Sequence, residues 1–302
     1  LKPELTMLQF ESNTACNSQC LFCEHKNMTR KGIMPTSKII DLIYHFGHKV
    51  NEMVPFGMQE PLLEPRLSAI LANIKQINPH VQTTLFTNMG VYPEAQLREI
   101  IDWGTLDQLE VSFYGATKEI YNQLQPPLDF EQTKANILKV MDLKREYGRT
   151  KPTVELMMLH TPHTWKYLDS YIAEWTDKVD KVSMVHYDGW CGKQPYNYDV
   201  EKAIWNNPGL SERVPCPRLW NSMYVHFDGS VVPCCLDAHD MDVCGNVFKD
   251  WNIFTNSPRL NELRMLHQER RFNEIPLCRD CVTWRYGVED TWNKFWMNTP
   301  LP

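Results

Sequence analysis

Residues 14–25 read TACNSQCLFCEH, and three cysteines fall within this one short stretch: Cys16, Cys20 and Cys23. Three residues separate the first pair and two the second. A four-iron cluster takes four ligands, usually thiolates. Three thiols on one loop can hold three irons and leave the fourth open to another group. An open metal position distinguishes a reactive site from a structural one. The competing readings are a zinc loop completed by His25, or three buried free cysteines. Zinc sites usually draw paired cysteines and histidines from two separate stretches.

Working outward, the loop follows a strand-like run, TMLQFES (6–12), and further runs alternate with helical patterns. Strands are expected at 54–58, 81–87, 108–115, 153–159 and 181–187. Helices are expected from Thr36 or Ser37 onward and at 65–77, 93–102, 130–147 and 164–175. Six β–α repeats predict a parallel sheet curled into a partial (β/α)6 barrel, of class α/β. Sites in such folds lie at the C-terminal ends of the strands, where this loop falls. The expected organisation is a core at 1–190, a linker rich in Pro, Gly and Asn at 191–215, and a small cysteine-rich α+β domain at 216–302.

The 302 residues carry a net charge of -6, which argues against a general nucleic-acid binder. No apolar run approaches the ~18–20 residues that span a bilayer, and no secretory signal pattern is present. Neither a nucleic-acid partner nor a membrane is therefore expected, and a cytoplasmic location is. Ten cysteines are too many to be incidental in such a protein. A disulfide scaffold would be short and secreted, so metal or iron–sulfur ligation is the default. Cys216, Cys234, Cys278 and Cys281 form a second, spread-out set ending in C-x-x-C. Four thiolates complete a cluster with no open iron, which can carry electrons; structural zinc is the alternative. A hairpin is expected at Asp228-Gly229 and a helix from about Ser257.

CNSQCLFC resembles the CxxxCxφC signature of the radical S-adenosylmethionine (SAM) superfamily, with Phe22 at the aromatic position. The resemblance covers roughly residues 6–190. It implies that SAM chelates the open iron, and that one-electron reduction yields a 5′-deoxyadenosyl radical that abstracts a substrate hydrogen. An external one-electron reductase of flavodoxin or ferredoxin type would supply the electron. Gln59, Glu60 and Pro61 stand where the family has Gly-Glu-Pro for the SAM ammonium. Asn88 falls in the segment similar to T-N-G, and Ser112 in the one similar to V-S-x-x-G. The fifth strand would lay Met157 or Met158 near the adenine.

Residues 216–281 resemble the auxiliary-cluster domain of SPASM/Twitch radical SAM enzymes. The resemblance implies two [4Fe-4S] clusters, one binding SAM and one auxiliary. The layout is similar to aminoglycoside-tailoring members, of the neomycin C epimerase type or the 2-deoxy-scyllo-inosamine dehydrogenase type.

Cys191, Cys235 and Cys244 remain outside both sets. An S–H bond is weaker than a sugar C–H bond, so Cys244 is read as a donor returning hydrogen to the opposite face of a substrate radical. Epimerisation of a small cationic sugar-type substrate is the expectation, and oxidation of an aminocyclitol alcohol the alternative. A peptide maturase is disfavoured, because only 15 residues precede Cys16. A non-catalytic zinc module is the remaining alternative. Asp237, Asp240 and Asp242 read as a solvated face, or as an attractor for a cation. Trp284, Tyr286, Trp292 and Trp296, with Glu289 and Asp290, would suit a sugar.

Overall fold

The computed structural model describes residues 2–161, 164–186, 189–191, 193 and 213–281. Most of the expected linker, and the aromatic tail from Trp284 to Trp296, lie outside the described residues.

Six parallel strands come first: β1 (Met7–Phe10), β2 (Glu52–Val54), β3 (Gln82–Thr87), β4 (Gln108–Ser112), β5 (Thr153–His160) and β6 (Lys181–His186). Helices return the chain between them: α1 (Thr36–Phe46), α2 (Leu67–Ile77), α3 (Glu94–Trp103), α4 (Lys118–Leu124), α5 (Phe130–Glu146) and α6 (Leu168–Trp175). This is the expected β/α series with local differences: the fourth strand stops at Ser112 short of 115, and the last helix begins at Leu168. The second strand ends at Val54 rather than running over 54–58, because Pro55 has no N–H to continue the ladder. Helix α4 is additional to the expected set; its cap is the Thr117 side chain, which accepts from the Ile120 N–H.

After α7 (Arg218–Asn221), the chain returns to the barrel. Strand β7 (Ser222–Val225) pairs parallel with β1, Gln9 opposite Tyr224. Strands β8 (Ser230–Val232) and β9 (Gly245–Asn246) follow antiparallel. The hairpin turns at Gly229, whose φ of 87° is a left-handed conformation favouring glycine. Among the described residues the strands form one nine-stranded sheet, ordered β6-β5-β4-β3-β2-β1-β7-β8-β9. Leu8 and Phe10 of β1 share a single core with Val225, Val231 and Leu263. Leu263 lies on α8 (Pro258–Gln268), which is capped by Ser257. The C-terminal cysteines are thus fastened to the barrel by hydrogen bonds and by packing. None of the described helices is long and apolar enough to cross a membrane.

Candidate active site

The three-cysteine loop is held to its neighbours by main-chain bonds. Gln19 N–H donates to Pro126 O, Leu21 N–H to Leu124 O, and Glu60 N–H to Ala15 O. Phe22 packs edge-on against Tyr114, ring centroids 5.2 Å apart, which ties the loop to the end of β4. Burial and neighbouring negative charge push Cys16 up to about 11 and Cys23 up to about 12. Such thiols become thiolates when a cation neutralises them. Each of the later two already has a polar neighbour: Ser18 Oγ lies 3.1 Å from Cys20 Sγ, and His25 N–H donates to Cys23 Sγ at 3.4 Å. His25 Nε2 lies 2.8 Å from the Thr14 carbonyl oxygen, which can only accept, so this nitrogen carries the proton and is not a metal ligand.

Glu60 is buried at the loop's edge. Its carboxylate accepts from the Thr87 hydroxyl at 2.6 Å, the Asn88 N–H at 2.7 Å and the Leu62 N–H at 3.0 Å. Burial raises it to about 7 against these bonds. Gln59 pins the same turn, accepting from Gly57 N–H and donating to Ser12 Oγ. Pro61 starts the following helical turn. Asn88 donates to Asn17 Oδ1 in the cysteine loop. Ser112 ends β4, opposite Met157 of β5. The expectation for Met158 on β5 needs correction. Met158 lies in the outer core with Leu156, beneath the helices, and strand alternation puts Met157 on the inner face instead.

That inner face carries carboxylates that the sequence reading passed over. Glu110 of β4 stands opposite Glu155 of β5, which stands opposite Lys181 of β6. Glu52 of β2 accepts from Thr84 Oγ1 at 2.7 Å. Lys181 Nζ is 3.8 Å from Glu155. Burial, then Glu155 and Glu52, push Glu110 up to about 8 despite Lys181. The alternation in QLEVS and TVELM was the available signal: apolar residues face the helices, so the glutamates face inward.

A narrow cleft opens at the C-terminal ends of β1 and β7, lined by Gln9, Glu11, Met58, Tyr224, His226 and Cys235, among others. His226 Nδ1 is 2.6 Å from Asp240. Burial opposes ionisation of Asp240, but His226, Arg30 and His239 hold its carboxyl below the usual range. Arg30 grips Glu11 through both guanidinium ends. Of the aspartate run only Asp240 is exposed; the other two are buried and held by hydrogen bonds. Asp242 is buried against Arg259 at 2.5 and 2.9 Å, and Asp237 accepts from the Met241 and Asp242 N–H groups.

Cys244 does not line this cavity. It sits in the core with Val231 and Ile253, 6% exposed, its Sγ 3.5 Å from the Asp242 carbonyl oxygen. Cys235 is the spare thiol at the cavity wall, with Arg218 Nη1 3.1 Å from its sulfur.

Cys216, Cys234, Cys278 and Cys281 line a second cavity. His267 Nδ1 accepts from the Cys216 N–H at 3.2 Å, and burial lowers its pKa to about 4. The neutral ring therefore carries its proton on Nε2 and donates it to Cys278 Sγ at 3.4 Å. Arg218, buried beside Cys234 and Cys235, favours anionic sulfur. Among the described residues, no three His, Cys, Asp or Glu side chains converge closely enough to hold a single metal ion. A four-iron cluster makes a different demand, one thiolate on each iron. Four thiols around one cavity, with a hydrogen-bond donor and a buried cation beside them, fit that group. So does the three-thiol loop, with its fourth position left for SAM.

The family model for the radical SAM superfamily matches residues 10–173. That for the SPASM iron-sulfur cluster-binding domain matches residues 216–282. No match was found among curated proteins. Several solved structures share the fold. BtrN in complex with AdoMet and 2-DOIA has a TM-score of 0.61 at 16% identity, over 93% of this chain and 94% of that one. Streptococcus suis SuiB bound to precursor peptide SuiA has a TM-score of 0.68 at 12% identity, over 87% of this chain and 67% of that one. Native anSMEcpe with bound AdoMet has a TM-score of 0.62 at 17% identity, over 95% of this chain and 92% of that one. At these identities the likeness is one of fold.

Proposed function

The chain belongs to the radical SAM superfamily, and on that premise we propose that it oxidises a secondary alcohol in a small cationic substrate of amino-sugar type, with His226 as the base. The observation that carries this reading is the His226–Asp240 pair at the wall of the barrel-mouth cavity. When bound, the two clusters and SAM supply removal of a carbon-bound hydrogen atom and acceptance of one electron.

The chain's own residues do the rest. Asp240 holds His226 Nδ1 and fixes the ring, so that Nε2 is the nitrogen that takes the hydroxyl proton. The carbon loses one hydrogen atom and one further electron, the oxygen loses a proton, and a ketone results. Glu110, Glu155 and Glu52 face inward with Lys181 as the neighbouring cation, which suits a substrate ammonium. Cys16, Cys20 and Cys23 are proposed as ligands of the SAM-binding cluster. Cys216, Cys234, Cys278 and Cys281 are proposed for the auxiliary one. Glu60, Gln59, Pro61, Asn88, Phe22, Ser112 and Met157 are proposed to shape the SAM pocket. An external one-electron reductase feeds the loop.

Inversion of a C–H stereocentre is the second reading, and Cys235 favours it, because this thiol borders the cavity. The hydrogen donor expected at Cys244 is to be tested beside it.

One experiment separates the readings. Amino alcohols of aminoglycoside type are incubated with reduced enzyme in heavy water. A ketone without carbon-bound deuterium supports oxidation; an epimer carrying one such deuterium overturns it in favour of inversion. His226→Gln is expected to lower ketone formation by ~10²–10⁴-fold, the usual worth of a general base, while 5′-deoxyadenosine release continues. A variant that still makes ketone at the parent rate removes His226 from the mechanism.

A further inference from the structure

Five thiols border the auxiliary cavity, one more than a four-iron cluster needs. Cys191 joins Cys216, Cys234, Cys278 and Cys281 along its wall. This residue follows β6, so it comes from the barrel half of the chain. It is 7% exposed and shares its core with Leu219, Leu263 and Leu277. Trp190 and Cys191 both adopt left-handed backbone, with φ of 49° and 57°. Two such residues in succession turn the chain sharply at the cavity wall. Cys191 and Cys234 border the same cavity, and the charge of one acts on the other, so the two sulfurs are neighbours there.

We propose that Cys191 is a fifth ligand-competent thiol of the auxiliary centre, able to hold the iron that Cys234 holds. The inference rests on the auxiliary-cluster reading of this cavity. In the exchange, Cys191 gives up its thiol proton as its sulfur bonds to iron. Cys234 takes a proton as its own bond to that iron breaks. No oxidation state changes. A centre with a thiol in reserve can open one iron and close it again without losing the cluster, which a set of four fixed cysteines does not allow.

The test uses the full chain with Cys16, Cys20 and Cys23 each changed to Ala, so that only the auxiliary cluster remains, prepared without oxygen. Iron, acid-labile sulfide and the electron paramagnetic resonance of the reduced cluster are read. About four irons per chain are expected in this background. Its failure to hold any iron would sink the auxiliary-cluster reading itself, separately from the role of Cys191. Adding Cys234→Ala is expected to leave the iron in place with an altered spectrum. Adding Cys191→Ala on top is expected to remove it, and Cys216→Ala alone to do the same. Equal iron loss in the Cys234→Ala and Cys216→Ala variants overturns the proposal, as does iron that survives loss of both Cys191 and Cys234. If Cys234→Ala does not fold, Cys234→Val decides in its place: iron retained with an altered spectrum supports the proposal, and iron lost as in Cys216→Ala overturns it.

Discussion

The two cysteine sites are assembled in opposite ways. At the N-terminal site three thiols come from one loop, and main-chain bonds to Pro126, Leu124 and Ala15 hold that loop in place. At the C-terminal site four thiols are collected from just before α7, just after β8 and a short helix beyond α8 (Pro276–Arg279) with the residues that follow it, by the core that packs these elements on β1. A loop site can lose its ligands and leave the fold standing. A core site loses stability with its ligands, because the elements that carry them also fill the core.

The largest contrast should come from single cysteine changes. Cys20→Ala is expected to bring 5′-deoxyadenosine release down to background with little change in circular dichroism. Cys278→Ala is expected to lower both auxiliary iron content and the melting temperature. Equal thermal losses in the two variants would break the distinction.

The next effect concerns the substrate. Glu110→Gln should raise KM by ~10–100-fold with kcat nearly unchanged, the worth of one hydrogen bond to a charged group at about 1.5–3 kcal/mol. Because the folded-state pKa of Glu110 is raised to about 8, the carboxyl is largely protonated at neutral pH. Binding of a cationic substrate should therefore tighten as pH rises toward 8. Calorimetry in buffers of different ionisation enthalpy checks it: proton release on binding near pH 7 should be smaller in the variant.

A smaller effect is expected at His267. His267→Phe removes the hydrogen bond to Cys278 Sγ and should shift the auxiliary centre's midpoint potential to more negative values. A potentiometric titration showing no shift would mean that the ring only fills space. The smallest effect belongs to Ser257, whose hydroxyl accepts from Leu260 N–H and donates to Cys244 O. Ser257→Ala should cost about 1 kcal/mol in denaturant unfolding, as for other helix caps.

The barrel and its reactive loop were legible because their signals are local. Strand-like runs mark β1 and β3 to β6, with β2 touched only at Val54, and the cysteine spacing is contained in eight residues. What was missed is long-range or depends on facing. Nothing near Tyr224 announces that it will lie beside Gln9, since parallel pairing leaves no mark at either partner. The inward Glu110 and Glu155 could be read from alternation, but only once the helix-facing side of the strands was fixed. The same rule distinguishes Met157 from Met158. Cys244 looked available because it was spare, and burial in a core shared by both halves of the chain cannot be seen from its neighbours in sequence.

Strand β7 closes the flank of β1. Cutting the chain before residue 213 would uncover a row of unpaired amide and carbonyl groups along β1, together with the apolar side chains of Leu8 and Phe10. Such an edge recruits strands from other molecules. The first half should therefore precipitate when made alone, and the two halves should be recovered in solution only when produced together.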